Sequence, residues 1–273
     1  MFIELTLFYT NICAGALMNN LHGLLFAALI GFLSGFSGFA AAAVFISAAK
    51  GLSRRFHGGL MGFTGGLLIA FVCFEMLPEA FESRGLVLGV VGLTLGAAAA
   101  AWLEKRAAMA ENALISRNSR SAGDKSNRNY FSTGLMIAAG IALHKLPEGM
   151  AMGALLDANL LAGLSFCAII ALHCFPEGVS VAVPLAQGGV KLKNMLGLFA
   201  LICLPMGVGS FLGAAAGGMS GAIMSFCLAF AGGIMIYVTC GSILPESRQM
   251  WRGRFTPAGA ALGFILGVVI TSL

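Results

Sequence analysis

Apolar runs of about twenty residues or more, separated by short polar or glycine-rich breaks, occupy most of this chain. Each run is long enough to cross a hydrocarbon layer about 30 Å thick as an α-helix. The pattern predicts eight helices, near residues 22–49, 58–81, 85–104, 130–155, 159–186, 195–217, 220–246 and 254–272. The segment 1–20 that precedes them is apolar but carries Glu4, Asn11, Asn19 and Asn20, and it lacks the basic start of a secretory signal. It reads either as an extra peripheral helix or as sequence ahead of a true start at Met18. The expected organisation is thus an N-terminal segment, 1–20, and a transmembrane domain, 21–273.

Composition sharpens this picture. With 59% hydrophobic and 10% charged residues among 273, a soluble globular class is excluded, and the expected fold is all-α: a polytopic membrane helix bundle in a lipid bilayer. Glycine, at 38 residues, falls in small-residue runs such as Gly31-Phe32-Leu33-Ser34-Gly35, which suit close helix approach in lipid. The net charge of +5 is a topology signal and not a nucleic-acid footprint. Lys50, Arg54 and Arg55 lie between spans one and two, and Lys105, Arg106, Arg117, Arg120, Lys125 and Arg128 between three and four. Lys191 and Lys193 lie between five and six, and Arg248, Arg252 and Arg254 between seven and eight; only Arg84 and Lys145 fall elsewhere. The positive-inside rule therefore makes the odd-numbered connections cytoplasmic and places both termini outside the cell membrane. The polar connection near 105–129 reads as a flexible cytoplasmic linker; it holds no histidine and so no metal-capture signal. Seven cysteines, 13, 73, 167, 174, 203, 227 and 240, sit in apolar segments without CxxC spacing, as small packing residues and not as a disulfide framework.

The candidate chemistry is a nine-residue pattern written twice. Ile141-Ala142-Leu143-His144-Lys145-Leu146-Pro147-Glu148-Gly149 returns as Ile170-Ala171-Leu172-His173-Cys174-Phe175-Pro176-Glu177-Gly178. In each copy His and Glu are four residues apart, hence on one helix face about one turn apart. An ionisable residue at bilayer depth points to function by default. Two such pairs on consecutive, antiparallel spans offer two imidazoles and two carboxylates, a ligand set suited to Zn, Fe(II), Mn or Cd. Pro147 and Pro176 cannot donate to Leu143 and Leu172, so each helix is expected to kink and free a carbonyl along a cavity or ion path. Copies running in opposite directions are expected of an inverted-repeat transporter with its site at midplane.

With its doubled HxxPEG, the chain resembles the ZIP (Zrt/Irt-like) family of divalent metal transporters, closest to its bacterial branch. The resemblance extends to Leu77-Pro78-Glu79-Ala80 ending span two and to Met235-Ile236-Tyr237 through Leu244-Pro245-Glu246 ending span seven. It implies movement of metal, zinc above all, into the cytoplasm through a cleft between two helix bundles, by an elevator-like motion, often in a homodimer. It also implies His144, Glu148, His173 and Glu177 as metal ligands, the divalent cation being cargo. Members of this branch often hold a second adjacent metal, using positions that here are Lys145, Cys174, Gly241 and Ser242; a methionine ligand of span two aligns with Leu68. A mononuclear centre is the expectation, with Lys145 as a fixed cation beside Glu148 and Glu177 in the second metal's place. Glu75, one turn before Glu79, either lines the metal path or makes a polar contact away from metal. His22 and His57, near span ends, read as interfacial. The rival readings are an intramembrane zinc hydrolase, for which no HExxH is present, and a transport-impaired metal sensor.

Overall fold

The computed structural model describes residues 20–51, 53–82, 86–117, 125–216 and 221–272. The segment expected to be a peripheral helix or a mis-assigned start, with Cys13 and Met18, lies outside them. Among the described residues the long elements are eight helices: α1 Leu21–Ala48, α2 Arg54–Phe81, α3 Leu86–Arg117, α4 Lys125–Ala158, α5 Leu160–Gln187, α6 Leu192–Ala215, α7 Gly221–Met250 and α8 Phe255–Thr271. Six are long and apolar enough to cross a membrane; the others are α4, which carries charged motif residues, and α8, with 17 residues. Large apolar side chains such as Leu172, Leu201 and Leu262 point away from the bundle. Such a surface would drive aggregation in water but is what lipid tails contact. The chain is a multi-pass membrane helix bundle.

The connection expected as a linker over about 104–129 is helical up to Arg117 and again from Lys125. Leu103 to Ala113 is rich in Ala, Glu, Lys, Arg and Met, all good helix formers. Its polarity does not end the helix. Helices α2 and α7 each contain a π-helical turn, Val72–Met76 and Thr239–Ile243, directly before Leu-Pro-Glu. Pro78 and Pro245 lack an N–H and clash with the carbonyl four residues back, and the widened turn accommodates that conflict without breaking the rod.

Helix pairing divides the bundle into two groups. Helices α1, α4, α5 and α6 pack together, as do α2, α3, α7 and α8; α4 meets α7, and α5 meets α2, across the divide. Exchanging α1–α3 with α6–α8, and α4 with α5, maps this pairing onto itself, which gives the fold its inverted-repeat character. The seams are backbone-close. A Cβ on Gly66 would run into the Ala260 carbonyl on α8, and its counterpart across the pseudo-twofold, on Gly233, would meet the Leu93 carbonyl on α3. In the first group Gly149 lies against the Met206 backbone and Gly178 against Phe39. Ser34 donates to the Cys167 carbonyl at 2.6 Å and Ser210 to that of Ala27 at 2.8 Å, tying α1 to α5 and α6.

We expect Gly66→Val to force α2 and α8 apart, at a cost of about 1–3 kcal/mol or more from overpacking. The detergent-purified variant should melt several degrees below the wild type; an unchanged melting temperature would show that the seam yields freely.

Candidate metal centre

A single residue, Asn159, separates α4 from α5. Its side chain caps α5 by accepting from the Ala162 N–H at 3.0 Å. The reversal is tight because Gly163 lies against the backbone of Leu156. His144 is fifteen residues before this turn and His173 fourteen after it. At 1.5 Å per residue both sit about 21–23 Å from it, so antiparallel pairing brings the two motif copies to one depth.

There the structure gathers His144, Lys145, Glu148, His173, Cys174 and Glu177, all buried. Donor atoms of His144, Glu148 and Glu177 lie within 4.8 Å of one another. His144 Nε2 is 2.8 Å from Glu177 Oε1. His173 Nε2 is 3.3 Å from the same oxygen and 3.6 Å from Glu148 Oε1. Donors sharing a tetrahedral ion at about 2.0–2.1 Å stand about 3.3–3.4 Å apart, so little adjustment is needed to enclose one. Glu148 Oε1 is buried without a hydrogen-bond partner among the described residues, and His173 Nε2 has only its 3.3 Å contact to Glu177. A divalent cation would satisfy both, so the donor set fits such a cargo.

The other oxygens of the carboxylates face Lys145. Its ammonium lies 2.6 Å from Glu148 Oε2, to which it donates, and 2.6 Å from Glu177 Oε2, in an ion pair outside hydrogen-bond angles. It also donates to Cys174 Sγ at 3.3 Å and sits 5.9 Å from the centre of the Phe39 ring. Each carboxylate therefore turns one oxygen to the imidazoles and the other to the ammonium.

One cavity of about 360 Å³ reaches this centre. Glu148, His173, Phe71, Glu75, Glu79 and Thr271 are among its lining residues, so it runs toward the Glu79 end of α2 and the end of α8. The opposite end is bridged by polar contacts between the groups. Arg54 on α2 donates to the Tyr130 hydroxyl on α4 and lies over its ring, and Glu246 on α7 is hydrogen-bonded to Thr133 on α4.

A family model described as ZIP zinc transporter matches residues 106–273, taking in both motif copies and all of α4 to α8. The chain belongs to the ZIP family. ZupT, a zinc transporter from Enterobacter sp. (strain 638), is 30% identical over 132 residues, 45% of this chain and 50% of that relative. The chain thus spans about half the length of the curated relative it matches. Helices α1, α2 and most of α3 precede the matched stretch and pack against its helices.

In this ZIP protein most residues singled out from sequence fall together. Leu68 is buried in the core, and His22 is exposed near the start of α1 as expected of an interfacial residue. His57, expected at the interface, is instead buried: its Nδ1 is 3.1 Å from the Ser53 carbonyl, and Trp251 and Phe255 close over the adjoining Gly58 and Gly59. Those paired glycines were the available signal. Sequence reading missed Phe71, whose ring centre is 5.0 Å from that of His173, because one phenylalanine among 21 carries no mark. Cys167, Cys174, Cys203 and Cys227 are buried, but Cys73 and Cys240 are exposed, one on each π turn.

Removing the ammonium leaves two buried carboxylates with less compensation, and breaking a buried ion pair costs about 3–5 kcal/mol. Metal-free Lys145→Met should therefore melt well below metal-free wild type, with added zinc restoring more stability to the variant than to the wild type. Equal melting temperatures without metal would show that Lys145 does not neutralise the pair.

Proposed function

We propose that this protein carries divalent cations, zinc foremost, across the cell membrane into the cytoplasm, with both termini outside. One ion binds among His144, His173 and the Oε1 atoms of Glu148 and Glu177. The division of each carboxylate between imidazoles and ammonium carries this reading. In a two-metal centre such carboxylates would bridge two ions; here Lys145 holds the oxygens that a second ion would need. At an effective dielectric near 20, an ammonium and a divalent ion about 4 Å apart repel by roughly 8 kcal/mol. That is enough to decide against a second ion once the bridging oxygens are already shared.

Transport is favoured over the rival readings by two observations. Family membership points to a transporter and away from a hydrolase. The cavity that reaches the centre from the Glu79 end, with the Arg54 end bridged, suits a carrier open to one side. By the charge rule the open end is the outer one, since Arg54, Lys105, Lys191 and Arg252 belong to the other. All four metal-binding side chains stand on α4 and α5, within one helix group, so the group can shift against its neighbour without dismantling the site.

Uptake of radioactive zinc into a metal-starved host should fall to background in His144→Ala and Glu177→Ala variants of normal membrane abundance. Normal flux in both would remove the proposed site, and zinc binding by wild type without flux would favour the sensor. In the same cells, single cysteines over 107–128 should be reached by label only from the cytoplasm.

Metal analysis of purified protein should give one tightly held zinc per chain in wild type. A Lys145→Asn, Cys174→Asp double variant, with oxygens restored and the cation gone, should take a second nearby. Two adjacent ions in wild type would overturn the role given to Lys145.

A further inference from the structure

The two π turns occupy equivalent places in the inverted halves. Val-Cys-Phe-Glu-Met before Leu77-Pro78-Glu79 corresponds position by position to Thr-Cys-Gly-Ser-Ile before Leu244-Pro245-Glu246. Glu75 thus has Ser242 as its counterpart, and Glu79 has Glu246. Their surroundings differ. Glu75 and Glu79 line the cavity that leads to the centre, whereas Glu246 is buried at the bridged end, against Thr133 and within electrostatic reach of Arg54.

We infer that Glu75 is a further metal-binding residue, a one-sided capture ligand that takes a divalent cation from the open cavity and passes it to His173 and Glu148. The inference rests on the transport reading above and adds a second station to it. Three observations carry it. Glu75 shares the cavity with Glu148 and His173 and is within electrostatic reach of both. Glu148 Oε1, more than nine-tenths buried, has no hydrogen-bond partner among the described residues, and His173 Nε2 beside it has only the 3.3 Å contact to Glu177 Oε1, so both present open ligand capacity beside that cavity. The remaining lining is largely apolar, with Phe166, Ile169, Ile170 and Leu228, so the carboxylates of Glu79 and Glu75 are the oxygen ligands an ion meets before the centre, and Glu75 is the one within electrostatic reach of it. An ion leaving bulk water there exchanges part of its hydration for a carboxylate before meeting the imidazoles. It thus sheds its shell in steps rather than at once.

The asymmetry has a directional consequence. When the opposite end opens, the equivalent place offers the Ser242 hydroxyl, a neutral and much weaker ligand than a carboxylate. Capture is therefore assisted by a carboxylate at this position on one side, and release meets none at the equivalent position on the other.

Zinc uptake kinetics in a metal-starved host test this, with each variant corrected for membrane abundance. Glu75→Gln should raise KM about tenfold, equivalent to about 1.4 kcal/mol of lost capture, with a smaller fall in Vmax. Glu75→Asp, which keeps the carboxylate, should recover most of the affinity. Ser242→Glu should lower Vmax several-fold without raising KM, because release then meets a carboxylate. An unchanged KM in Glu75→Gln, or a loss confined to Vmax that aspartate does not rescue, overturns the capture role while leaving the central site intact. Absence of uptake by wild type overturns the transport reading itself.

Discussion

Two carboxylates held among helices at membrane depth are the constraint to which the rest of the structure answers. Neither Glu148 nor Glu177 is solvent-exposed, and an unpaired charge in such a place is prohibitively costly. Compensation comes from Lys145 on one side and from the two histidines on the other. The glycines of the motif let neighbouring helices close over this polar cluster: Gly149 admits α6 and Gly178 admits α1. A polar centre and tight backbone packing are thus one arrangement, since a looser bundle would let water reach the carboxylates and weaken every contact between charges.

The repeated motif converges because the fold is inverted about it. Asn159 reverses the chain almost midway between the histidines, and each copy is then backed by an equivalent helix, α6 behind α4 and α1 behind α5. A parallel repeat would have placed the copies at different depths. The pseudo-twofold also explains why Leu-Pro-Glu occurs twice with the same widened turn before it: α2 and α7 solve one local problem, a proline inside a long helix, in one way.

Much of this was legible before any coordinates. Eight helices follow from apolar length and charged breaks, and the centre follows from a histidine and a glutamate one turn apart, repeated. Lys145 was legible as a cation beside the carboxylates because it stands at a position where the resembling family carries a second-metal ligand, three residues before Glu148. What sequence hid was set by distance along the chain or by context. Phe71 meets His173 from a helix a hundred residues away, and nothing local marks it. His57 is buried because glycines allow Trp251 and Phe255 to cover it. The helical stretch to Arg117 was masked by reading polarity as a break, although its residues are good helix formers. The equivalence of Glu75 and Ser242 emerges only when the two π turns are set side by side.

In the carrier proposed above, Lys145 would also set the charge states between which the centre works. With neutral imidazoles, two carboxylates and one ammonium carry a single net negative charge. One divalent ion turns that into a single net positive charge. The solvation cost of holding charge in a poorly polarisable medium grows with its square, so with both imidazoles neutral the empty and loaded centres would bear a similar penalty. Two carboxylates without the lysine would swing between a doubly negative empty centre and a neutral loaded one, heavily favouring occupancy. The lysine makes the two states alike in that respect, which suits a site that has to be left as readily as it is filled.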